Sequence, residues 1–593
     1  MVVTALPVWD LSDLYPSIDS PKIRADLKKS AKDCAAFAAS YKPPFAKMSG
    51  DKLAAALADY EKLQDRLGKL HSYADLVYAS DMSNPKHAQF YQNMQESLNE
   101  LSSALLFFGL SINKIPEKDL AAKLKSSKAL AHYAPWLLDV RSYKPYQLDD
   151  NLEKLLHEKR ITTQSWTRLF DESIARMRFL VDGKSLTSAE ALDLLSHKEP
   201  AKRKSAAKAI GAEFEKHKEL FALITNTLAK DKAIEDQWRG FKAPISSRNV
   251  SNQVEDAVVD ALSQTVKANY AQLAHRYYAW KAKQFGKKTM DYWDRNAPLP
   301  AASDRKIDWA DARELVLSSY AAFSPELAKI GKKFFDNDWI DVPTRAGKAP
   351  GAFAHPTVPS AHPYLLLNYQ GKTRDVMTLA HELGHGVHQV LSAKQGALMA
   401  DTPLTLAETA SVFGEMLTFQ EILRREKDAS KRQYLIASKV EDMLNTVVRQ
   451  TAFCDFERQV HDVRKKGELS ADQLAEIWLA VQKESLGPAI KFDTEYGHYW
   501  MYIPHFIHSP FYVYAYAFGD CLVNSLYAVY QAEAAKGAKQ AKAFEQKYIE
   551  MLKAGGTLRH KALLKPFGLD ASKADFWQRG LDVIADYIEQ LEQ

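Results

Sequence analysis

Apolar residues recur at three- and four-residue steps along most of this chain, the spacing that puts side chains on one face of an α-helix. The pattern dominates from Pro21 to about Ile112, and its clearest stretch is the stripe Phe90, Met94, Leu98, Leu101, Leu105 and Phe108, read as helix-packing surface. Residues 113–200 continue as helices with polar joints. Long helices are predicted over 203–235 and 253–286, the second carrying Tyr277, Tyr278 and Trp280. The Ala/Lys-rich stretch Gln531–Phe544 reads as a surface helix, and residues 1–20 as an ordered arm. One segment departs from this. Between Asp336 and Lys372, glycine, proline and β-type residues replace the helical period, predicting strands near Gly351–Ala354 and Tyr364–Tyr369 joined by a proline-bearing loop. Such a strand pair is either a structural hairpin or an open edge able to hold an extended peptide by main-chain hydrogen bonds. Helical periodicity returns at Asp375–Leu391, where Val376, Leu379, Ala380, Leu383, Val387 and Leu391 form one face.

Composition narrows the class. The chain has 593 residues, 46% hydrophobic and 26% charged, which is ordinary globular material with enough apolar content for a large core. A formal charge of +5 gives no argument for a nucleic-acid partner, and the basic run His197–Lys208 reads as a solvated helix start. Cys34, Cys454 and Cys521 are scattered and suggest neither a disulfide framework nor a cysteine metal site. The N-terminal stretch lacks a charged region followed by a sustained apolar core, and the longest apolar stretch, Phe511–Val523, is too short to span a bilayer. The expectation is a soluble cytoplasmic protein without a membrane partner; oligomeric state is not readable.

The Asp375–Leu391 helix carries HELGH, an instance of H-E-x-x-H. His381 and His385 are four apart and project from the same face one turn apart, as two neutral imidazoles sharing a zinc ion require. Glu382 lies about 100° round the helix, placed to reach a metal-activated water as general base rather than the metal itself. Gly384 and Gly386 sit inside the same helix, where each costs roughly 1 kcal/mol against alanine and implies a packing or functional reason. A catalytic zinc normally keeps three protein ligands. The metzincin extension is excluded, because its glycine and histidine positions hold His388 and Leu391. The next candidates are Glu408 and Glu415 in TPLTLAETASVFGEML, two turns apart on one face. Glu408 is open to two readings, metal ligand or partner of Thr405 in a capping box; Glu415 would orient a histidine. Near the C-terminus, HYWMYIPHFIHSPFYVYAYAFGD mixes His498, His505 and His508 with Tyr499, Tyr502, Tyr512, Tyr514 and Tyr516. These are suitable donors to an oxyanion, or else an amphipathic aromatic cluster.

HELGHGVH, AETASVFGE and PHFIHSPFYVYAYA, together with the preceding GKAPGAFAHP and PYLLLNYQGKTRDVMTLA and the N-terminal WDLSDLYPS, resemble the oligoendopeptidase F branch of the M3 zinc peptidases, the thimet oligopeptidase and neurolysin superfamily. The resemblance touches both ends of the chain and is densest from about Lys348 to Asp520. It implies a mainly α, ellipsoidal multi-helix fold split by a deep channel, with a small β-sheet beside the HExxH helix. It further implies an N-terminal helical domain, 1–200, as one channel wall and a catalytic domain, 201–593. One Zn2+ per chain would be bound by His381, His385 and Glu408, with Glu382 as general base and proton shuttle. His505, Tyr512 and Tyr514 would act on the substrate side, His508 is a further substrate contact, and Gly351, Ala352 and Phe353 would pair with the peptide backbone.

The function these features point to is hydrolysis of internal bonds in short unfolded peptides. The alternatives are a zinc carboxypeptidase of similar helical fold, which would need a positive group for the substrate's terminal carboxylate, and a catalytically silent peptide-binding protein, which would have no need of Glu382.

Overall fold

The computed structural model describes residues 6–299 and 306–593. The chain is mainly helical, 73% helix against 4% strand. It divides into two compact units, neither contiguous in sequence: Met1–Lys144, Asp304–Arg425 and Tyr530–Gly568 form the first, and Pro145–Ser303, Glu426–Val529 and Leu569–Gln593 the second. Residue 200 thus falls inside the second unit, and this spatial division is of a different kind from one made along the chain. No described helix is long and apolar enough to cross a membrane.

In the first unit the predicted stripe from Phe90 to Phe108 is broken. Helices run over Pro85–Ser103 and Leu106–Asn113, and the chain turns at Ala104–Leu105, so that Met94 and Leu98 are buried by one helix and Phe108 by the next. The sheet has three strands: β1 (Ile340–Pro343), β2 (Phe353–His355) and β3 (Tyr364–Tyr369), in the order β1-β3-β2. β3 is central and almost wholly buried, which explains its unbroken apolar run Tyr364-Leu365-Leu366-Leu367. It pairs in parallel with β1, Ile340 opposite Leu365, and antiparallel with β2, Ala354 opposite Leu365. β2 is an edge strand. Its observed span begins two residues later than expected, because Gly351 takes φ +78°, a left-handed turn that precedes the extended backbone. The N-terminal arm is fixed on this sheet: Val342 donates to the carbonyl of Pro7, and the Trp9 ring meets Tyr364 edge-on at 6.0 Å. Beneath the β1–β2 connection the Lys348 ammonium is fully buried and donates to Asp341 Oδ1 and to the carbonyls of Asp341, Pro343 and Leu367.

Two helices follow the sheet. α1 spans Thr373–Ser392 and α2 Leu404–Arg425. α1 starts where Asp375 accepts hydrogen bonds from the backbone amides of Gln370 and Lys372. Its predicted face is buried throughout. α1 and α2 touch backbone to backbone: a Cβ added at Gly384 would lie 2.5 Å from the Ala410 carbonyl oxygen and 2.6 Å from the Ser411 Cα. One at Gly414 would lie 1.9 Å from the Tyr320 hydroxyl, which donates to the Ala380 carbonyl of α1. Gly384 therefore serves the close crossing of α1 and α2, while Gly386 makes room for the Phe334 ring and Gly414 for Tyr320.

In the second unit one helix covers Pro200–Arg239, ended by Gly240 in the left-handed conformation. The basic run at its start is not all solvated: Arg203 is buried and paired with Asp294. The helix expected over 253–286 is interrupted, with Asp256–Ala268 and Arg276–Gln284 joined through a π-turn at Ala271–His275. Tyr277, Tyr278 and Trp280 are buried in the core.

Candidate metal centre and active site

The first unit brings His381, His385 and Glu408 together, their ligand atoms within 4.8 Å of one another. Glu408 Oε2 lies 3.3 Å from His381 Nε2 and 3.4 Å from His385 Nε2. The carboxylate is turned toward the two histidines. Ser411 donates to the same oxygen at 2.6 Å. On the other side of the His381 ring, Glu415 Oε2 lies 3.3 Å from Nδ1. His388 is not part of the group. It is buried against the Leu552 backbone, and burial together with His385 brings its pKa down to about 4.

The electrostatics are those of a site that favours positive charge. Burial alone would raise the Glu408 pKa, yet the two imidazoles hold it well below the usual carboxylate range. Burial would likewise lower that of His381, but Glu408 and Glu415 raise it well above the ordinary imidazole value. Two nitrogen donors and one carboxylate oxygen, converging with further carboxylates nearby, fit a divalent cation of the zinc type. Glu382 stands apart from the three. It is buried, and desolvation raises its pKa despite the two histidines; the backbone amide of Ala354, in β2, faces its carboxylate.

In the second unit, His505 and His508 lie on one short helical turn and Tyr514 opens the helix Tyr514–Ala535. The His505 ring stacks on Tyr512 with centroids 5.6 Å apart, and its Nε2 lies 3.3 Å from the Tyr516 hydroxyl. Burial and neighbouring His508 keep the His505 imidazole below its ordinary pKa. Tyr514 is directed elsewhere: its hydroxyl is buried and accepts from Asn252 Nδ2 at 2.8 Å. His508 is bonded to Asp171 at 2.7 Å. The turn between these groups is strained, with Phe511 at φ +60°. It is held by the buried Glu457, which accepts from the Phe511 amide at 2.7 Å, and by Arg248, which donates to the Pro510 carbonyl.

Comparison with known proteins decides the family. The model of peptidase family M3 matches residues 194–583, and that of oligopeptidase F matches residues 111–179. The chain belongs to peptidase family M3. Oligopeptidase PepF of Bacillus subtilis (strain 168) is 26% identical over 604 residues, covering 100% of this chain and 88% of its own. An oligoendopeptidase F homolog of Borreliella burgdorferi is 28% identical, covering 91% and 90%. Among solved structures, one from Chlamydophila abortus superposes with a TM-score of 0.86 at 23% identity, covering 98% of this chain and 97% of that one. Oligoendopeptidase-F from Enterococcus faecium gives 0.69 at 20%, covering 96% and 97%.

The M3 family is generally metal-dependent, and His381, His385 and Glu408 form a candidate group for an ion. One contact here escaped the sequence reading. Tyr516, rather than Tyr514, shares the His505 ring, and the signal that could have found it is helical spacing from Tyr512, four residues earlier.

Proposed function

We propose that this M3 peptidase is a zinc endopeptidase hydrolysing internal bonds of short, unfolded oligopeptides, with one Zn2+ per chain held by His381, His385 and Glu408. The observation that carries the proposal is the convergence of Glu408 Oε2 on both imidazole nitrogens, at 3.3 and 3.4 Å. Bound there, zinc supplies Lewis acidity, which makes water acidic and polarises a carbonyl. The Glu382 carboxylate accepts the proton of the attacking water and returns it to the leaving nitrogen. Burial raises its pKa above that of an ordinary carboxyl, the direction that helps a carboxylate take up a proton. β2 presents Phe353 at a sheet edge, with Gly351 and Ala352 in the turn that leads into it, and there an extended substrate finds main-chain partners. His505 and Tyr512 supply donors to the developing oxyanion. Tyr514, through Asn252, holds their segment in place, and His508 contacts substrate.

The test is cleavage of an internally quenched, end-blocked peptide by wild type and by Glu382→Gln, with bound metal measured in both. Wild type should cut it and carry one zinc, and the variant should keep the zinc and lose about 100- to 10,000-fold in kcat. A wild type that binds zinc but leaves the blocked peptide intact would point to an exopeptidase or a binding protein. Failure of either form to bind metal would end the reading.

A further inference from the structure

Buried cations in this chain come with carboxylates. Arg203 is paired with Asp294, and Lys348 with Asp341. Two half-buried arginines in the second unit have no carboxylate partner among the described residues. Arg295 and Arg449 both lie beside the phenols of Tyr278 and Tyr496. Arg449 Nη2 donates to the Tyr502 hydroxyl at 2.7 Å, and Arg295 Nη1 to Asn445 Oδ1 at 3.2 Å. Every one of these partners is neutral. Among the described residues no carboxylate pairs with either guanidinium. The acids closest by are already engaged: Glu441 with Lys281 and Tyr277, Asp294 with Arg203 and Lys287. Repulsion from Arg295 adds to burial in lowering the pKa of Lys281. Partly desolvated cations gathered without matching anions are costly unless something else supplies the negative charge.

Arg295, Arg449 and Tyr502 are each partly rather than fully buried. The cluster is also joined to the segment assigned to the substrate. Tyr502 precedes His505 by three residues. The Arg449 guanidinium sits 4.9 Å from the Phe453 ring centroid, and Phe453 meets Phe506 at 5.6 Å. Guanidinium groups bind carboxylates through paired, charge-assisted hydrogen bonds.

The geometry points to a carboxylate-binding subsite at Arg295 and Arg449 that takes a carboxylate of the peptide substrate, an inference that rests on the peptidase reading above. The carboxylate has two sources, the C-terminus of the peptide or an acidic side chain. A set of quenched peptides sharing one scissile sequence separates them: C-terminal acid against C-terminal amide, and an aspartate near the terminus against asparagine. Each is assayed with wild type, Arg295→Gln, Arg449→Gln and Arg449→Lys.

Wild type should prefer one charged peptide over its neutral twin by about 10- to 100-fold in kcat/KM, chiefly through KM. Either glutamine variant should bring that ratio close to one, and Arg449→Lys should retain part of it. The pair that shows the preference names the source. Because the ratio is measured within one preparation, partial misfolding of a variant leaves it intact. Should the variants fail to fold, competitive inhibition of wild type by acid and amide product peptides reads the same preference. Equal cleavage and equal inhibition by charged and neutral peptides, or variants that keep the wild-type ratio, would overturn the subsite. Absence of cleavage of any peptide would instead overturn the peptidase reading.

Discussion

Glu415 Oε2 and Glu408 Oε2 each lie 3.3 Å from the His381 ring, on its Nδ1 and Nε2 sides respectively. With Nδ1–H given to Glu415, the Nε2 lone pair is the one left facing Glu408 and His385. The pairing thus selects the tautomer a metal ligand needs. Glu415→Ala should weaken metal affinity by about 10- to 100-fold while leaving the helices folded, measured by competition with a chelator. Unchanged affinity would mean that Glu415 does not orient the ring.

The close approach at Gly384 predicts a substitution that damages the centre without touching a ligand. In Gly384→Ala the new methyl meets the backbone of Ala410 and Ser411, neither of which can rotate away. The expected cost is about 1–3 kcal/mol of stability, with weaker metal binding because α1 and α2 are pushed apart. Gly109→Ala is the control. It lies within a helix with nothing within 4 Å of the added methyl, so it should be neutral or gain up to about 1 kcal/mol. Equal effects in the two variants would show that the close approach at Gly384 is not what the substitution disturbs.

Glu457 gives a pH dependence. Burial lifts its pKa from 4.5 to about 8, in spite of the Phe511 amide it accepts from. Below about pH 4.5 the carboxyl is protonated whether the chain is folded or not. Between there and about pH 8 the unfolded chain loses the proton and the folded chain keeps it, so stability falls as pH rises through that window. Glu457→Gln retains an acceptor for Phe511 and does not titrate. Its melting temperature relative to wild type should therefore climb from pH 5 to pH 9; a difference independent of pH would refute the assignment.

Lys348 is the opposite case, a buried cation whose hydrogen bonds are supplied by one carboxylate and three carbonyls. Lys348→Met leaves Asp341 buried with only Arg345 to pair with, and those carbonyls without their donor. A loss of about 3–5 kcal/mol is expected in denaturant unfolding. A loss under 1 kcal/mol would show that solvent reaches the site.

What was legible in the sequence is what local spacing encodes. The i, i+4 histidines, the buried face of α1 and the limits of β3 all follow from a single element's own period. The place of Glu408 did not. Thr405 and Glu408 fit a capping box as well as a ligand reading, and the nearness of the carboxylate to the histidines arises only where α1 packs on α2. β1 was missed because four residues have no readable period and its partner lies more than twenty residues on. The π-turn at Ala271–His275 shifts the helical phase by one residue, which a continuous apolar pattern hides. Arg295 and Arg449 stand far apart in the chain, and neither carries a motif. Their relation exists only in the folded unit.

The division into compact units bears on how the protein is made. The chain changes unit after residues 144, 303, 425, 529 and 568. A ribosome delivers it in that order, so the unit begun by the N-terminal helices still lacks its Tyr530–Gly568 segment when HELGH and the Glu408 helix have long emerged. Neither unit is complete before residue 568, so the two cannot form one after the other in the usual N-terminal-first manner. The His381–His385–Glu408 group therefore belongs to a unit whose last segment ends only at Gly568, and no truncation at an earlier unit boundary yields either unit intact.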